Sequence, residues 1–370
     1  MRSTIGKNIR VSIWGGSHEP AIGVDIDGIP EGTAIDMTQL EAFLKRRAPG
    51  NSPFATKRRE PDTPVPVGGL KAADSGGKAG NILTADGGTV SLEIKNTDTR
   101  SGDYRALRTV PRPGHADYTA RLRYGDTLNM SGGGPFSARM TAPLCIAGGI
   151  ALQMLAARGI TIGAHIYSIA GINDIPFDPL NTDPALLSKL KQKDMAVISE
   201  RASEEMAAEI TAAMNDLDSV GGVVEVCALG LPGGIGGAMY DGLESALAPI
   251  FFGIPAVKGV EFGAGFDAAR LRGSRNNDAF YYDRGQVRTR TNNHGGILGG
   301  ITTGMPLIAR LAFKPTPSIA MEQDSVDLQK GENTKLVIKG RHDPCVAVRA
   351  VPIAEAALAL GILDCMMEVQ

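Results

Sequence analysis

The chain has 370 residues, 43% of them hydrophobic and 5% aromatic, with a formal net charge of -2. That composition supports a large buried core and excludes a disordered tail, and the scarce aromatics give little to stack nucleobases on. Glycine is the outlier, at 47 residues against the ~7% of an average protein; it falls in loops without a fixed period, which favours close backbone approach to ligands.

The first residues, Met1-Arg2-Ser3-Thr4-Ile5-Gly6-Lys7, lack the apolar stretch of a secretory signal. No apolar run approaches the ~18 residues of a spanning helix, so a cytoplasmic protein without membrane contact is expected. Residues 11–13 and 22–26 alternate as strands, and Asp36 followed by Gln39 is a capping-box start for a helix over 37–47. Residues 48–88 read as loop-rich. Val90, Leu92 and Ile94 then point one way and Ser91 and Glu93 the other, as on a half-buried antiparallel strand. A long irregular arm follows over 96–140.

Residues 141–157 form an apolar helix closed by Gly159, and 160–170 return as a strand. Asp183-Pro184 opens a helix with proline at its first position, 204–217 are helical, and 222–229 form a strand. Residues 239–251 read as helix, 306–313 and 334–339 as strands, and 353–363 as the last helix. No Ser/Pro-rich linker divides these pieces, so one domain over 1–370 is expected. Asp25 to Gly32 and Ala228 to Gly234 both read as strand, then Gly-apolar-Pro-x-Gly, before a helix. This suggests an internal duplication, although turn chemistry alone can produce such a pair.

The four cysteines, Cys145, Cys227, Cys345 and Cys365, show no metal-ligand or disulfide spacing, and neither a structural zinc nor a disulfide is expected. Gly263-x-Gly265-x-x-Ala268 fits a dinucleotide fingerprint in form only, lacking a helix and a suitably placed acid, and reads as a turn.

Polar turns interrupt the apolar runs at Gly15-Gly16-Ser17-His18, Arg112-Pro113-Gly114-His115-Ala116-Asp117-Tyr118 and Arg341-His342-Asp343-Pro344, each carrying a group able to move protons near neutral pH. His165, inside a strand, reads as structural, and His294 as either turn or ligand contact. Six cations and no acid lie between 45 and 59, and seven arginines face four aspartates over 96–139. Arginine forks match carboxylates and phosphates, so a pocket for a small polyanion fits better than a nucleic-acid stripe. Lys314-Pro315-Thr316-Pro317-Ser318 ends an apolar strand with a cation and two hydroxyls, a seat for phosphate.

Taken in order, these segments resemble the chorismate synthase family from Ile5 to the last helix. The carriers are Gly15 to Glu19 leading to Asp27-Gly28-Ile29-Pro30, Ser137-Ala138-Arg139-Met140-Thr141, and Arg341 to Cys345 with Glu355. Between them stand Asn96 to Tyr104, Arg112 to Tyr118, Asp218 to Gly222, Ala256 to Glu261, Gly295 to Gly300 and Lys314 to Ser318. The resemblance implies an α+β fold with helices sandwiched between two antiparallel four-stranded sheets, in a homotetramer.

It also implies a lyase that eliminates phosphate from 5-enolpyruvylshikimate 3-phosphate to give chorismate, with reduced FMN required and no net redox change. NADPH enters only indirectly, through an external flavin reductase or other supply of reduced flavin. By position, His115 protonates the departing phosphate, His18 holds a proton near the flavin, and Asp343 with Ser17 relays one. Cofactor contacts fall at Ser137, Ala138, Arg139, Pro255, Ala256, Gly299, Lys314, Pro315, Thr316, Pro317, Ser318 and Arg341. Substrate anions fall to Arg46, Arg47, Arg112, Arg139 and Arg349.

The chain departs from the family pattern at Gly16, Glu19, Pro53 and Met140. The larger departure is Met130 to Phe136, where a glycine-rich loop replaces two arginines. Backbone N–H groups of residues 131–134 are expected to form an anion nest there, or Arg121, Arg123 or Arg275 to compensate. A catalytically silent flavin-binding protein on the same scaffold is the competing reading; an RNA binder is a third.

Overall fold

Strands with a period of two bury alternate residues on whichever face meets a helix, and two sheets are built this way in the computed structural model, which describes residues 2–48, 54, 60–73, 81–97, 107, 109–338 and 343–368. The first comprises β1 (Arg2–Ile5), β2 (Arg10–Gly15), β3 (Ala21–Asp27), β4 (Val65–Gly68) and β5 (Val90–Lys95), in the order β1-β2-β3-β5-β4. Every neighbour is antiparallel. Ile22 faces Ile94, Val24 faces Leu92 and Ile26 faces Val90 across β3 and β5, and all six are buried.

The second sheet comprises β6 (Thr161–Ile169), β7 (Ile172–Asn173), β8 (Gly222–Leu229), β9 (Val257–Phe262) and β10 (Leu307–Phe313), in the order β7-β6-β8-β10-β9. It too is antiparallel throughout. Each sheet therefore has five strands where four were expected. The additions are edge strands that need only one partner: β4 carries Pro66, tolerated at an edge, and β7 is two residues long.

Among the described residues, the α-helices of seven residues or more are α1 (Met37–Arg47), α2 (Asp117–Tyr124), α3 (Thr141–Ala156), α4 (Pro184–Leu190), α5 (Glu200–Asn215), α6 (Leu243–Phe252) and α7 (Ala347–Met366). Between the sheets, α3 packs on the first, α7 on the second, and the two pack on each other with α1 and α6 alongside. This is the sandwiched α+β architecture. Gly148 marks the α3–α7 crossing, since a Cβ there would overlap Ala356. Asp364 in α7 accepts the backbone N–H groups of Lys7, Asn8 and Ile9, tying the start of β2 to the last helix.

Local signals act where they were read. Asp36 caps α1 by accepting the N–H groups of Thr38 and Gln39, and Asp183 caps α4 at Ala185. Other elements are corrections. The loop-rich 48–88 contains β4 and the strands Leu70–Ala72 and Ile82–Ala85, the irregular arm contains α2, and α7 begins six residues early despite Pro352. Apolar length is a further correction: Ala138–Ala156 spans 19 residues and holds an 18-residue stretch of mean hydropathy 1.3, long and apolar enough to cross a membrane, but 83% of that stretch is buried inside the protein.

The turns after β3 and β8 match. Gly28 and Gly230 both have positive φ (91° and 77°), each lies against a backbone carbonyl that a Cβ would strike, and Ile29 and Leu231 turn into the core behind them.

Candidate active site

Pro113-Gly114 makes a tight turn closed by the His115 N–H donating to Arg112 O at 3.3 Å, with Gly114 at φ 71° as a type II turn demands. The turn delivers Asp117 to the first turn of α2 beneath the histidine. Its carboxylate accepts from Arg112 Nε and Nη2, both at 2.7 Å, and takes His115 Nδ1 at 2.8 Å. Burial opposes ionisation of Asp117, yet the hydrogen bonds from Arg112 and His115 prevail and hold its carboxyl well below the usual carboxylate range. Arg112 Nη2 stands 3.0 Å from the same Nδ1, so carboxylate and guanidinium together set the ring's direction and leave Nε2 for exchange. Arg112 Nη1 also donates to Ser318 Oγ at 3.1 Å, joining this turn to the 314–318 segment.

Gly132, Gly133 and Gly134 all have positive φ and form a wedge between two histidines. A Cβ on Gly132 would overlap the His18 imidazole, and one on Gly133 would stand 3.1 Å from His115 Nε2. Glycine is required at both. Ser17 N–H donates to Gly134 O and Ser17 Oγ to Ser131 O, at 3.2 and 3.0 Å, and the same hydroxyl meets His18 Nδ1 at 3.1 Å. The expected anion nest is corrected in part: Ser131 N–H donates to Asn129 Oδ1 and Gly133 N–H to Met130 O, so those two amides are spent inside the loop.

Three arginines converge from α1, the turn before α3 and α7. Arg47 and Arg139 both hold Asp62, whose carboxyl burial would raise but whose pairing with Arg47 and then Arg139 keeps it ionised below its ordinary range. Arg47 Nη1 donates to Thr141 Oγ1 at 3.2 Å, and Arg139 Nε lies 3.0 Å from both Asn96 Oδ1 and Glu60 Oε2. Arg349 donates from Nε to Arg47 O and from Nη1 to Asp343 Oδ2, at 3.0 and 2.9 Å. Burying such charges singly would cost several kcal/mol, so each cation arrives with its acid.

These groups line one cavity of about 330 Å³. Its polar wall carries Arg47, Glu60, Arg112, His115, Arg139, Lys314, Asp343 and Arg349. Ser137, Ala138, Thr316, Pro317 and Ser318 edge it, and Ile254, Pro255, Ala256, Phe313, Val346, Ala350 and Ile353 form an apolar side. Lys314 donates to Gly114 O; burial, and then Lys258, press its pKa below the ordinary lysine value.

Most sequence-predicted residues therefore meet here, with exceptions. Ser17 and His18 sit behind Gly132 rather than in the wall, and Pro315 does not face the cavity. Gly299 lies elsewhere: with Gly300 it forms the positive-φ turn of the hairpin Ile297–Leu298 to Ile301–Thr302, which accounts for the glycines. Arg46, expected to meet an anion, is committed to Glu355, with contacts of 2.5 and 3.0 Å, because that fully buried carboxylate needs a counter-charge. Arg121, Arg123 and Arg275 do not line the cavity. Arg341 and His342 lie outside the described residues, as do Pro53, the cations 57–59 and residues 98–104.

Glu60, Asp62 and Asp117 were missed as site residues. Asp117 stood in the quoted motif, but nothing in the sequence shows that a carboxylate two residues away turns back onto a histidine. Glu60 and Asp62 follow directly on the cation run, and that abrupt change of sign was the available signal. The four cysteines are buried and unpaired; Cys145 lies near Arg47, and burial pushes its thiol up to about 12.

A sequence model described as chorismate synthase matches residues 9–367. The chain is 44% identical to a chorismate synthase of Lancefieldella parvula over 98% of this chain and 96% of that one. It is 42% identical to one of Thermococcus gammatolerans, over 97% and 96%, and 41% to one of Korarchaeum cryptofilum, over 98% and 96%. A solved structure entitled "Crystal Structure of Chorismate Synthase" superposes with a TM-score of 0.73 at 24% identity, covering 98% of this chain and 93% of that one, which shows the fold. The chain belongs to the chorismate synthase family.

Proposed function

We propose that the chain eliminates phosphate from 5-enolpyruvylshikimate 3-phosphate to give chorismate, a lyase reaction that uses reduced FMN without consuming it. One observation carries the reading: His115, anchored at Nδ1 by buried Asp117, shares a cavity wall with Arg47, Arg139, Arg349 and Lys314. The substrate bears two carboxylates and a phosphate, and fixed cations replace the water it must shed. Among the described residues Lys314 is the wall cation held by a carbonyl instead of a carboxylate, which leaves its charge for the ligand.

The chemistry of the cavity lining also supports a flavin. Its apolar side from Ile254, Pro255, Ala256 and Val346 suits a planar ring, while Lys314 and the hydroxyls of Thr316, Ser318 and Ser137 suit its phosphate and polar edge. When bound, reduced flavin would supply the electron density that an unactivated C–H and C–O pair lacks. The chain's part is position and protons. His115 gives the proton at Nε2 to the departing phosphate while Asp117 balances the imidazolium, Arg112 holds Asp117 in place, and Asp343 accepts a proton beside Arg349. His18, packed against Gly132, holds a proton at the far side of the glycine wedge.

Exposed Met239, Tyr240, Phe266 and Tyr282 offer apolar surface for the homotetramer that belongs to this reading, which sedimentation velocity would test. The deciding experiment is an anaerobic assay with photoreduced FMN. Chorismate should form stoichiometrically with phosphate; bound flavin without turnover would establish the silent alternative instead.

A further inference from the structure

Side-on arginine–carboxylate pairs normally close two parallel hydrogen bonds, one from Nε and one from Nη2. The Arg139–Glu60 pair in the cavity wall leaves this arrangement open. Nε lies 3.0 Å from Glu60 Oε2 but gives its hydrogen bond to Asn96 Oδ1, and Arg139 Nη2 and Glu60 Oε1 are both buried and both lack a hydrogen-bond partner. Both side chains are 3–4% exposed, and both residues line the cavity. Asp62 and Asn96 hold the rest of the guanidinium, through Nη1 and Nε, so the arginine is not free to swing and close the fork.

An orphaned buried donor and an orphaned buried acceptor on one ion pair are costly, more so because both groups are charged. One chemical group answers both at once: a hydroxyl accepts from Nη2 and donates to Oε1. A carboxylate or phosphate would satisfy Nη2 but set its charge against Glu60.

We infer that Glu60 and Arg139 form a hydroxyl-recognising subsite, so that Glu60 selects ligands by a hydroxyl and not by an anion. This rests on the proposed function, under which two ligands carry suitable groups: the ring hydroxyl beside the phosphate ester of the substrate, and the ribityl hydroxyls of the flavin.

The test is equilibrium binding by calorimetry, without turnover, of two ligand pairs to the wild-type protein and to Glu60→Gln. The first pair is 5-enolpyruvylshikimate 3-phosphate and its 4-deoxy counterpart; the second is FMN and a flavin with a plain phosphopentyl chain. In the wild type one pair should show a preference for the hydroxyl-bearing member of about 10-fold or more, as for a hydrogen bond to a charged group. In Glu60→Gln the amide oxygen turns to Arg139 and its NH2 faces the subsite, so two donors meet the hydroxyl and the preference should collapse to roughly threefold or less. The pair that responds identifies the source. Equal affinities within both pairs in the wild type overturn the inference, the subsite then holding only water. So does a preference that survives unchanged in Glu60→Gln with a wild-type melting temperature. Failure of the wild type to bind either parent ligand would instead overturn the proposed function and take this inference with it.

Discussion

Asp117 holds His115 Nδ1 at 2.8 Å from two residues along the chain, while its two oxygens also grip the guanidinium of Arg112. The histidine is thus fixed in direction by a carboxylate that stays ionised. His115→Ala should slow phosphate release by roughly 10²–10⁴-fold, the range for a lost general acid, with ligand affinity nearly kept. Asp117→Asn should lower kcat with little change in KM, since it leaves Nε2 in the wall but removes the charge that balances the imidazolium. Stopped-flow phosphate release measures both, and an unaltered rate in His115→Ala would remove this residue from the mechanism.

Gly132 is the tightest point of the wedge, with φ 63° and the His18 ring where its side chain would be. Gly132→Ala should destabilise the protein by roughly 1–3 kcal/mol through backbone strain and displacement of the imidazole. Urea midpoints give the stability, and turnover should fall by more than the loss of folded protein explains. A variant with wild-type midpoint and rate would show that the wedge yields freely.

Glu355 is fully buried, bonded to Arg46 and to the Ala164 N–H. Glu355→Gln removes one partner of a buried pair and should cost about 3–5 kcal/mol. Arg46→Met should be destabilising as well, yet KM for the substrate should stay near wild type in whatever folds. A large rise in KM without loss of stability would restore Arg46 as a ligand contact.

His165 lies fully buried between Asp174 Oδ2 and Glu225 Oε2, 3.0 Å from each. Burial lowers its pKa, but the hydrogen bonds and charges of the two carboxylates outweigh burial and raise it above the ordinary 6.5. Burial likewise raises the two acids, and hydrogen bonds led by His165 bring them below their ordinary values. A raised histidine contributes stability fully present below about pH 6.5 and lost as pH climbs through its folded value; the lowered acids contribute above about pH 4 and lose it as pH falls. Urea midpoints should therefore decline from neutral into alkaline pH, and His165→Gln should flatten that decline. An identical slope in the variant would place the loss elsewhere.

Short-range chemistry was legible in the chain. Asp36 and Asp183 cap the helices they precede, Pro113-Gly114 makes its turn, and the alternation at Val90, Leu92 and Ile94 sets the buried face of β5, because each depends on groups within a few residues. His115 and the wall cations Arg47, Arg112, Arg139, Lys314 and Arg349 were legible too, since residue type limits what a side chain can bind. Tertiary structure alone decided which arginine lines the cavity: Arg46 and Arg47 are neighbours, but a helical turn of about 100° per residue sends one to Glu355 and the other to Asp62 and the cavity. It alone decided that Arg139 and Glu60 each keep a buried atom without a hydrogen-bond partner, that α7 runs through Pro352, and that three glycines separate two histidines. These outcomes depend on contacts between segments tens to hundreds of residues apart, and pairwise distance in space is what local pattern does not contain.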